Sequence, residues 1–431
     1  MDYQQALDFL YPLHRFGIKP GIERVLRLLD VFCSPQERLG TIVHIAGTNG
    51  KGTTASALAA MFQAAGKKTA LYTSPHLVDF TERMRIDGVP IAPERVAAYC
   101  SIMQDTVVWL HSTFFEATTA LAFAWFADEQ VDAAIIETGM GGRLDATNVV
   151  ASDYAVITAI GLDHTAWLGS STALIAREKA AIIKPGSIAF TAVTEPGSLA
   201  EIEEAASRNG ARLFRLGRDF SVTGEHAVPG CLDFSLSTAS MRYRELKAPV
   251  TGAFHAANLA LAVMVAEKAG IAEAFIRSGL RNMLQTGYRA RLEKIASRPD
   301  VLLDVSHNAA GMSRTAETIM TFRSRYRSMY VLIGLASDKD AVAIAGHLGV
   351  LAAVFAAVTI PSERSIPAAE LGVLLRDSGQ DALVFETPRE GLAHILQLAE
   401  PGDLVLVTGS FFLAGEVLRL GMFPDMQGRH A

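Results

Sequence analysis

Apolar residues fall along this chain in two alternating rhythms. Thr41 to Ala46 alternates β-branched and apolar positions as a buried strand does, and Thr53 to Ala65 is Ala-rich enough for a helix. Between them, the run Gly47-Thr48-Asn49-Gly50-Lys51-Gly52 reads as irregular structure. Lys68–Tyr72, Ala133–Glu137 and Ala155–Ile160 predict further short buried strands, and Thr81–Gly88 a charged strand ending in an Asp-Gly turn. Helical spacing marks 2–13, 22–32, the segment opening at Phe114, the one ending near Lys184, and a long Ala-rich stretch reaching Ala269. From Ser187 to Ala248 the pattern shifts to short strands, Ile188–Val193, Arg212–Leu216 and Cys231–Leu236, joined by Gly and Pro turns. That predicts a small β-rich flank. Beyond a hinge at 286–289, strands at Val301–Val305, Met329–Leu335, Ala353–Ile360, Leu383–Glu386 and Leu404–Thr408 alternate with helices, a second α/β unit. The expected division is 1–287 and 288–431.

The glycine run carries the first chemistry. A strand, a glycine turn and a helix together form a phosphate cradle: glycines let the backbone close on an anion, the helix N-terminus adds positive dipole, and Lys51 brings a full charge. The spacing is not that of the common P-loop, because Gly47 stands only three residues before Gly50 and Gly52 separates Lys51 from Thr53. Glu137 ends an apolar strand, the arrangement by which a carboxylate holds a nucleotide's magnesium; an acid there could instead cap a helix. Arg83 and Arg85, two apart, would share one face, turned either to an acidic ligand tail or to solvent. Phe114 and Phe115 are adjacent and cannot both face the same core.

Composition narrows the class. A chain of 431 residues exceeds one core, half of it is apolar and a fifth charged, and the net charge of −6 gives no footprint for nucleic acid. The three cysteines are scattered and odd in number, so neither a disulfide framework nor a thiolate metal site is expected, and a reducing, cytoplasmic setting is. The N-terminus lacks the pattern of a signal peptide and no apolar run is long enough to span a bilayer. No short-period repeat is present, and a monomer is expected.

The motifs GTNGKG followed by Thr53, Thr73-Ser74-Pro75-His76-Leu77 and Glu137-Thr138-Gly139-Met140-Gly141-Gly142-Arg143-Leu144-Asp145-Ala146-Thr147-Asn148 resemble the folylpolyglutamate synthase and dihydrofolate synthase family, a branch of the Mur ligases. Matching segments run from about Ala6 to Ser410. The resemblance implies an N-terminal P-loop ATPase domain with a mainly parallel sheet and a C-terminal Rossmann-like α/β domain. It implies an ATP-dependent ligase adding L-glutamate to dihydropteroate or a reduced folate through an acyl phosphate. By the same resemblance, ATP contacts Gly47, Thr48, Asn49, Gly50, Lys51, Gly52, Thr53, Asn258, Arg291 and Asp304. Two magnesium ions are held by Thr53, Ser74, Glu137 and His164, and a monovalent cation can accompany them. Lys179 matches a lysine that carries a carbamate; read alone it is a surface lysine. Phe115, Asp145 and Arg83 are implied for the folate, under a covering loop at 16–21, and His307 and Ser410 for glutamate. Lys51, Lys179 and His307 form the implied catalytic set.

Each role has a plainer competitor. Ser74 sits in a Pro turn, Asp145 could form an Asx turn, Asn258 could be a polar residue at a helix start, and Ser337-Asp338-Lys339-Asp340 could be a charged loop rather than electrostatic support of the cleft. The chain departs from the family where Val305-Ser306 replaces Gly-Ala and Tyr288-Arg289-Ala290 replaces a Pro-Gly approach to Arg291. Two other enzymological classes remain open. A Mur ligase on a nucleotide-linked muramyl substrate normally carries a UDP-binding domain before its cradle, where this chain has 46 residues. A P-loop ATPase or switch protein would turn over nucleotide without any acceptor.

Overall fold

Thr41–Ala46 (β1) lies inside a sheet because its residues are apolar on both faces, and each face needs a covering layer. The computed structural model describes residues 1–17 and 19–423, with Arg15 and Phe16 described by backbone alone. Thr69–Tyr72 (β2), Met84–Ile86 (β3), Val89–Pro90 (β4), Ala133–Glu137 (β5), Tyr154–Ile157 (β6), Ile188–Thr191 (β7) and Arg212–Arg215 (β8) join β1 in one sheet of order β4-β3-β2-β5-β1-β6-β7-β8. All pairings are parallel except those of β3 with β2 and β4. The strands following β1 pass to both of its sides, so a crevice opens at its carboxyl end, where α/β sheets seat ligands.

One face of the sheet packs on helices Lys51–Ala64, His255–Lys268 and Glu273–Asn282, the other on Pro93–Leu110, Phe114–Asp128 and the N-terminal helices. The first of these is buried almost all round, from Thr53 to Phe62, which is why it reads as Ala-rich without a polar stripe. Helix Glu273–Asn282 presses close: a Cβ on Gly279 would meet the Met61 Cα at 2.5 Å.

Phe220–Val228 (β9), Cys231–Thr238 (β10) and Arg242–Ala248 (β11) form a separate antiparallel sheet. Here the expected flank needs correction. Ile188–Thr191 and Arg212–Arg215 belong to the main sheet, and a helix, Pro196–Arg208, connects them in place of Gly and Pro turns. Glu195 starts that helix by accepting from the Gly197 and Ser198 N–H groups, with Pro196 in the first turn.

The second unit contains Glu293–Ala296 (β12), Asp300–Leu303 (β13), Met329–Ile333 (β14), Val354–Val358 (β15), Asp381–Phe385 (β16) and Leu404–Thr408 (β17), ordered β12-β13-β17-β14-β15-β16. All pair in parallel except β12, an antiparallel edge that periodicity did not show. Helices cover both faces. The two units touch where Gly415, lacking a Cβ, lets helix Phe411–Arg419 approach the Leu77 carbonyl and Arg419 donates to the Val78 carbonyl at 2.8 Å. No helix among the described residues is long and apolar enough to cross a membrane.

Two further expectations change, and one helix is shorter than the spacing of its neighbours suggests. Lys51 and Gly52 are already in the first turn of the helix, with Gly50 at its N-cap. Thr81–Gly88 is not one strand: Phe80–Arg83 is a 3-10 turn fixed by Asp79 and Glu82, so Arg83 and Arg85 do not share a strand face. His164 and Lys179 lie on no common helix, since Gly169 interrupts between Thr165–Leu168 and Thr172–Ala180.

Candidate active site

The cradle sits at the carboxyl end of β1. Gly47 (φ 157°) and Gly50 (φ 91°) hold backbone that side chains disfavour, and a Cβ on either would collide, with Thr158 or with the Asn258 carboxamide respectively. Thr48 N–H donates to the Ala159 carbonyl at 2.6 Å, Thr48 Oγ1 to the Gly161 carbonyl at 3.1 Å, and Thr158 Oγ1 to the Asn49 carbonyl at 2.8 Å. The loop is therefore stitched to the segment after β6. Gly50 supplies no side-chain cap, so the N–H groups of the first helical turn stay available to an anion.

Two lysine amines converge on one oxygen. Lys51 Nζ and Lys179 Nζ each donate to the Gly47 carbonyl at 3.0 Å. Lys179 is 4% exposed, so it is no surface lysine; burial, then the Lys51 charge, pushes its amine down to about 7. Glu137 ends β5 beside Ile45 of β1, 3.9 Å from Lys51 Nζ. Its burial raises the carboxyl above the ordinary range, opposed by Lys51, Arg291 and a backbone hydrogen bond from Ser74. Ser74 is thereby placed beside Glu137. His164 is half exposed next to Asp163, in a left-handed backbone conformation, and Lys339, Lys179 and Lys51 add to the burial that lowers its pKa.

No group of three or more His, Cys, Asp or Glu among the described residues could hold a metal alone. Magnesium takes one or two carboxylates together with water and phosphate oxygens. Glu137 beside Lys51, Ser74 whose backbone meets Glu137, and Thr53 in the first helical turn offer hard oxygens, the donor type that fits such an ion. The Thr53 hydroxyl already meets Tyr288 OH at 2.9 Å and His255 Nδ1 at 3.4 Å.

A second cluster lies beyond β2 and β5. Arg83 is buried, its Nε donates to His76 Nδ1 at 2.8 Å, and its guanidinium stands 5.0 Å over the Phe114 ring. Among the described residues no carboxylate forms a salt bridge with it. His14 stacks on Phe114 at 4.0 Å, and Tyr11 and Phe80 complete the ring cluster. Phe115 turns the other way, toward Tyr72 and with the far edge of its ring against Gly139. Of the covering loop, Ile18 lies outside the described residues. Asp145 is taken up locally, accepting from Met140 N–H at 2.8 Å and from Thr147 N–H and Oγ1 at 3.0 and 2.5 Å, an Asx arrangement. Tyr11 and His14 carried no sequence signal, because single rings far apart in the chain announce nothing until the fold joins them.

Across the cleft, Asp304 is committed inside its own domain, accepting from Leu292 N–H, Ser306 N–H and Thr315 Oγ1. Arg291 lies over Phe411 at 4.9 Å, and its charge reaches Glu137. Burial lowers the His307 pKa, Lys339 and Arg291 add to this, and Asp163 from the cradle side opposes it. Ser410 Oγ accepts from Leu413 N–H at 3.0 Å, capping helix Phe411–Arg419. Asn258 lies beside Gly50 on helix His255–Lys268. Asp340 caps helix Ala341–Gly349, while Lys339 projects its charge toward His164 and His307.

The Mur ligase middle domain model matches residues 45–266, and the Mur ligase glutamate ligase domain model matches 290–411. The dihydrofolate synthase/folylpolyglutamate synthase of Bacillus subtilis is 33% identical over 430 residues, covering 96% of this chain and 98% of that one. The chain belongs to the folylpolyglutamate synthase and dihydrofolate synthase family of the Mur ligases. Among solved structures, Escherichia coli FolC in complex with DHPP and ADP superposes with a TM-score of 0.87 at 29% identity, covering 100% of this chain and 99% of that one. The bifunctional Yersinia pestis enzyme complexed with AMPPNP and Mn ion gives 0.84 at 29% identity, covering 97% and 98%.

Proposed function

We infer that the protein is an ATP-dependent ligase that joins L-glutamate to the carboxylate of dihydropteroate or of a folate tail. The observation that carries this reading is the pairing of Lys51 and buried Lys179 on the cradle, beside Glu137, with the aromatic and arginine cluster opening next to it. A relative whose structure is solved in complex with DHPP and ADP supports the acceptor class and the nucleotide.

The acceptor carboxylate attacks the γ-phosphorus of ATP; a C–O–P link forms as the bond to ADP breaks. The glutamate amine then attacks the acyl carbon, phosphate leaves and the amine loses a proton. Lys51 and the free N–H groups of the first helical turn neutralise charge on the moving phosphoryl group. Arg83 holds the anionic acceptor against Phe114, with Phe115 and Asp145 shaping the pterin end. Asn258 and Arg291 order the nucleotide, Asp304 supports them by holding the Leu292 and Ser306 backbone, and His307 and Ser410 present glutamate from the 288–431 unit. Two magnesium ions, for which Glu137, Thr53, Ser74 and His164 are the ligands proposed, would neutralise phosphate charge when bound. Lys179, whose amine is near neutrality, is suited to add carbon dioxide: its lone pair bonds the carbon, one proton leaves and a carbamate anion results.

Incorporation of labelled glutamate, with dihydropteroate and tetrahydrofolate as parallel acceptors and Lys51→Ala as the blank, tests the reading. Transfer to either acceptor supports it; ATP hydrolysis with no transfer to any pteroate carboxylate refutes it.

A further inference from the structure

Thr53 is the first hydroxyl of the cradle helix, and two residues that no motif marks reach it from elsewhere in the chain. Tyr288 OH and His255 Nδ1 lie 2.9 and 3.4 Å from its oxygen. Both side chains are buried, at 7% and 2% exposure, so neither can turn to bulk water instead. His255 Nε2 has no partner among the described residues, and Thr53 is the hydrogen-bond partner that Tyr288 OH has.

A threonine hydroxyl has one proton and two lone pairs. For one lone pair to face a cation, the other must accept from one neighbour while the proton goes to the second. If Thr53 donated to Tyr288, the tyrosine proton would have no acceptor. If both neighbours donated to Thr53, no lone pair would remain. Only Tyr288 O–H donating to Thr53, with Thr53 O–H donating to His255 Nδ1, leaves a lone pair free and the tyrosine satisfied. Tyr288 also follows Gly287, whose positive φ of 86° turns the chain toward the second unit and against which the Arg85 side chain is packed. Three residues later Arg291 reaches Phe411.

We propose that Tyr288 is a positioning residue that aims the Thr53 hydroxyl at the nucleotide's cation and so ties occupancy of the cradle to the junction between the two domains, an inference that rests on the ligand role proposed for Thr53. Outer-shell partners of this kind commonly change metal affinity by about 10–100-fold.

The test is calorimetric titration of the full chain with ADP, in magnesium and in EDTA, for the wild type, Tyr288→Phe, Thr53→Val and the double variant, with thermal melting as a check on folding. Tyr288→Phe should lose about tenfold of the magnesium-dependent tightening and keep its EDTA affinity. The double variant should be no worse than Thr53→Val. Backbone amides of 284–292 should gain hydrogen-exchange protection with Mg-ADP in the wild type and not in Tyr288→Phe. Undiminished tightening in Tyr288→Phe, or fully additive losses in the double variant, overturns the proposal while leaving the function standing. A wild type whose ADP affinity ignores magnesium removes the Thr53 ligand role and the proposal with it; a chain that binds no ADP removes the ligase reading itself.

Discussion

Replacing Lys179 by methionine should make the unliganded protein more stable at neutral pH while abolishing ligation. The methionine keeps much of the volume and removes the amine. In the unfolded chain that amine titrates at 10.5; in the fold it titrates at about 7, through burial first and the Lys51 charge second. Between those values the unfolded state binds more protons, so the lysine's contribution makes stability rise with pH from about 7 to 10.5. Below 7 the folded protein carries the full cost of the buried cation, with a ceiling on the order of 5 kcal/mol. Methionine forfeits the bond to the Gly47 carbonyl, about 1 kcal/mol. The net gain should be about 3 kcal/mol at pH 7, shrinking to nothing near pH 10. Differential melting of wild type and Lys179→Met in CO2-free buffer, from pH 6.5 to 10, measures it, and a midpoint rise of roughly 3–5 °C at pH 7 is expected. A variant that is destabilised equally at every pH would show that the ammonium is well accommodated and the reasoning wrong.

Gly279→Ala should cost about 1–3 kcal/mol, read from the urea midpoint, because its methyl would sit 2.5 Å from the Met61 Cα between two packed helices. Arg83→Met should raise KM for the folate acceptor at least tenfold and leave KM for ATP unchanged. The buried guanidinium lies on the Phe114 side of the site, with no protein carboxylate bridged to it among the described residues. An equal rise in both constants would place Arg83 in general scaffolding.

The cradle was legible because its constraint is local: glycines that must adopt positive φ, a lysine and a helix lie within a dozen residues. The strands around it were legible for a similar reason, since buried parallel strands are continuous apolar runs. Pro196–Arg208 was missed although its signals, Glu195 at the cap and Pro196 after it, were present; the Gly and Pro content on either side outweighed them. The antiparallel strand β12 is a short edge, half buried, with too little periodicity to register. Distance hid the rest. Thr53 meets His255 and Tyr288 across more than 200 residues of chain, and the rings around Phe114 come from Tyr11, His14, His76 and Phe80. Such contacts are products of topology, and no window along the sequence contains both partners. Asp145 shows the opposite case: the Asx turn that stood as the alternative to its pterin contact joins residues two apart, and a short window of sequence contains both partners.

The single carbonyl on which Lys51 and Lys179 converge ties the first turn of the cradle helix to helix Thr172–Ala180, which lies more than a hundred residues away in the chain. A carbonyl oxygen has two lone pairs, so both amines are held at 3.0 Å at once, and the Lys51 charge is felt at the buried Lys179 amine. A substitution at Lys51 therefore acts twice, on the charge it brings to the cradle and on the protonation of its neighbour.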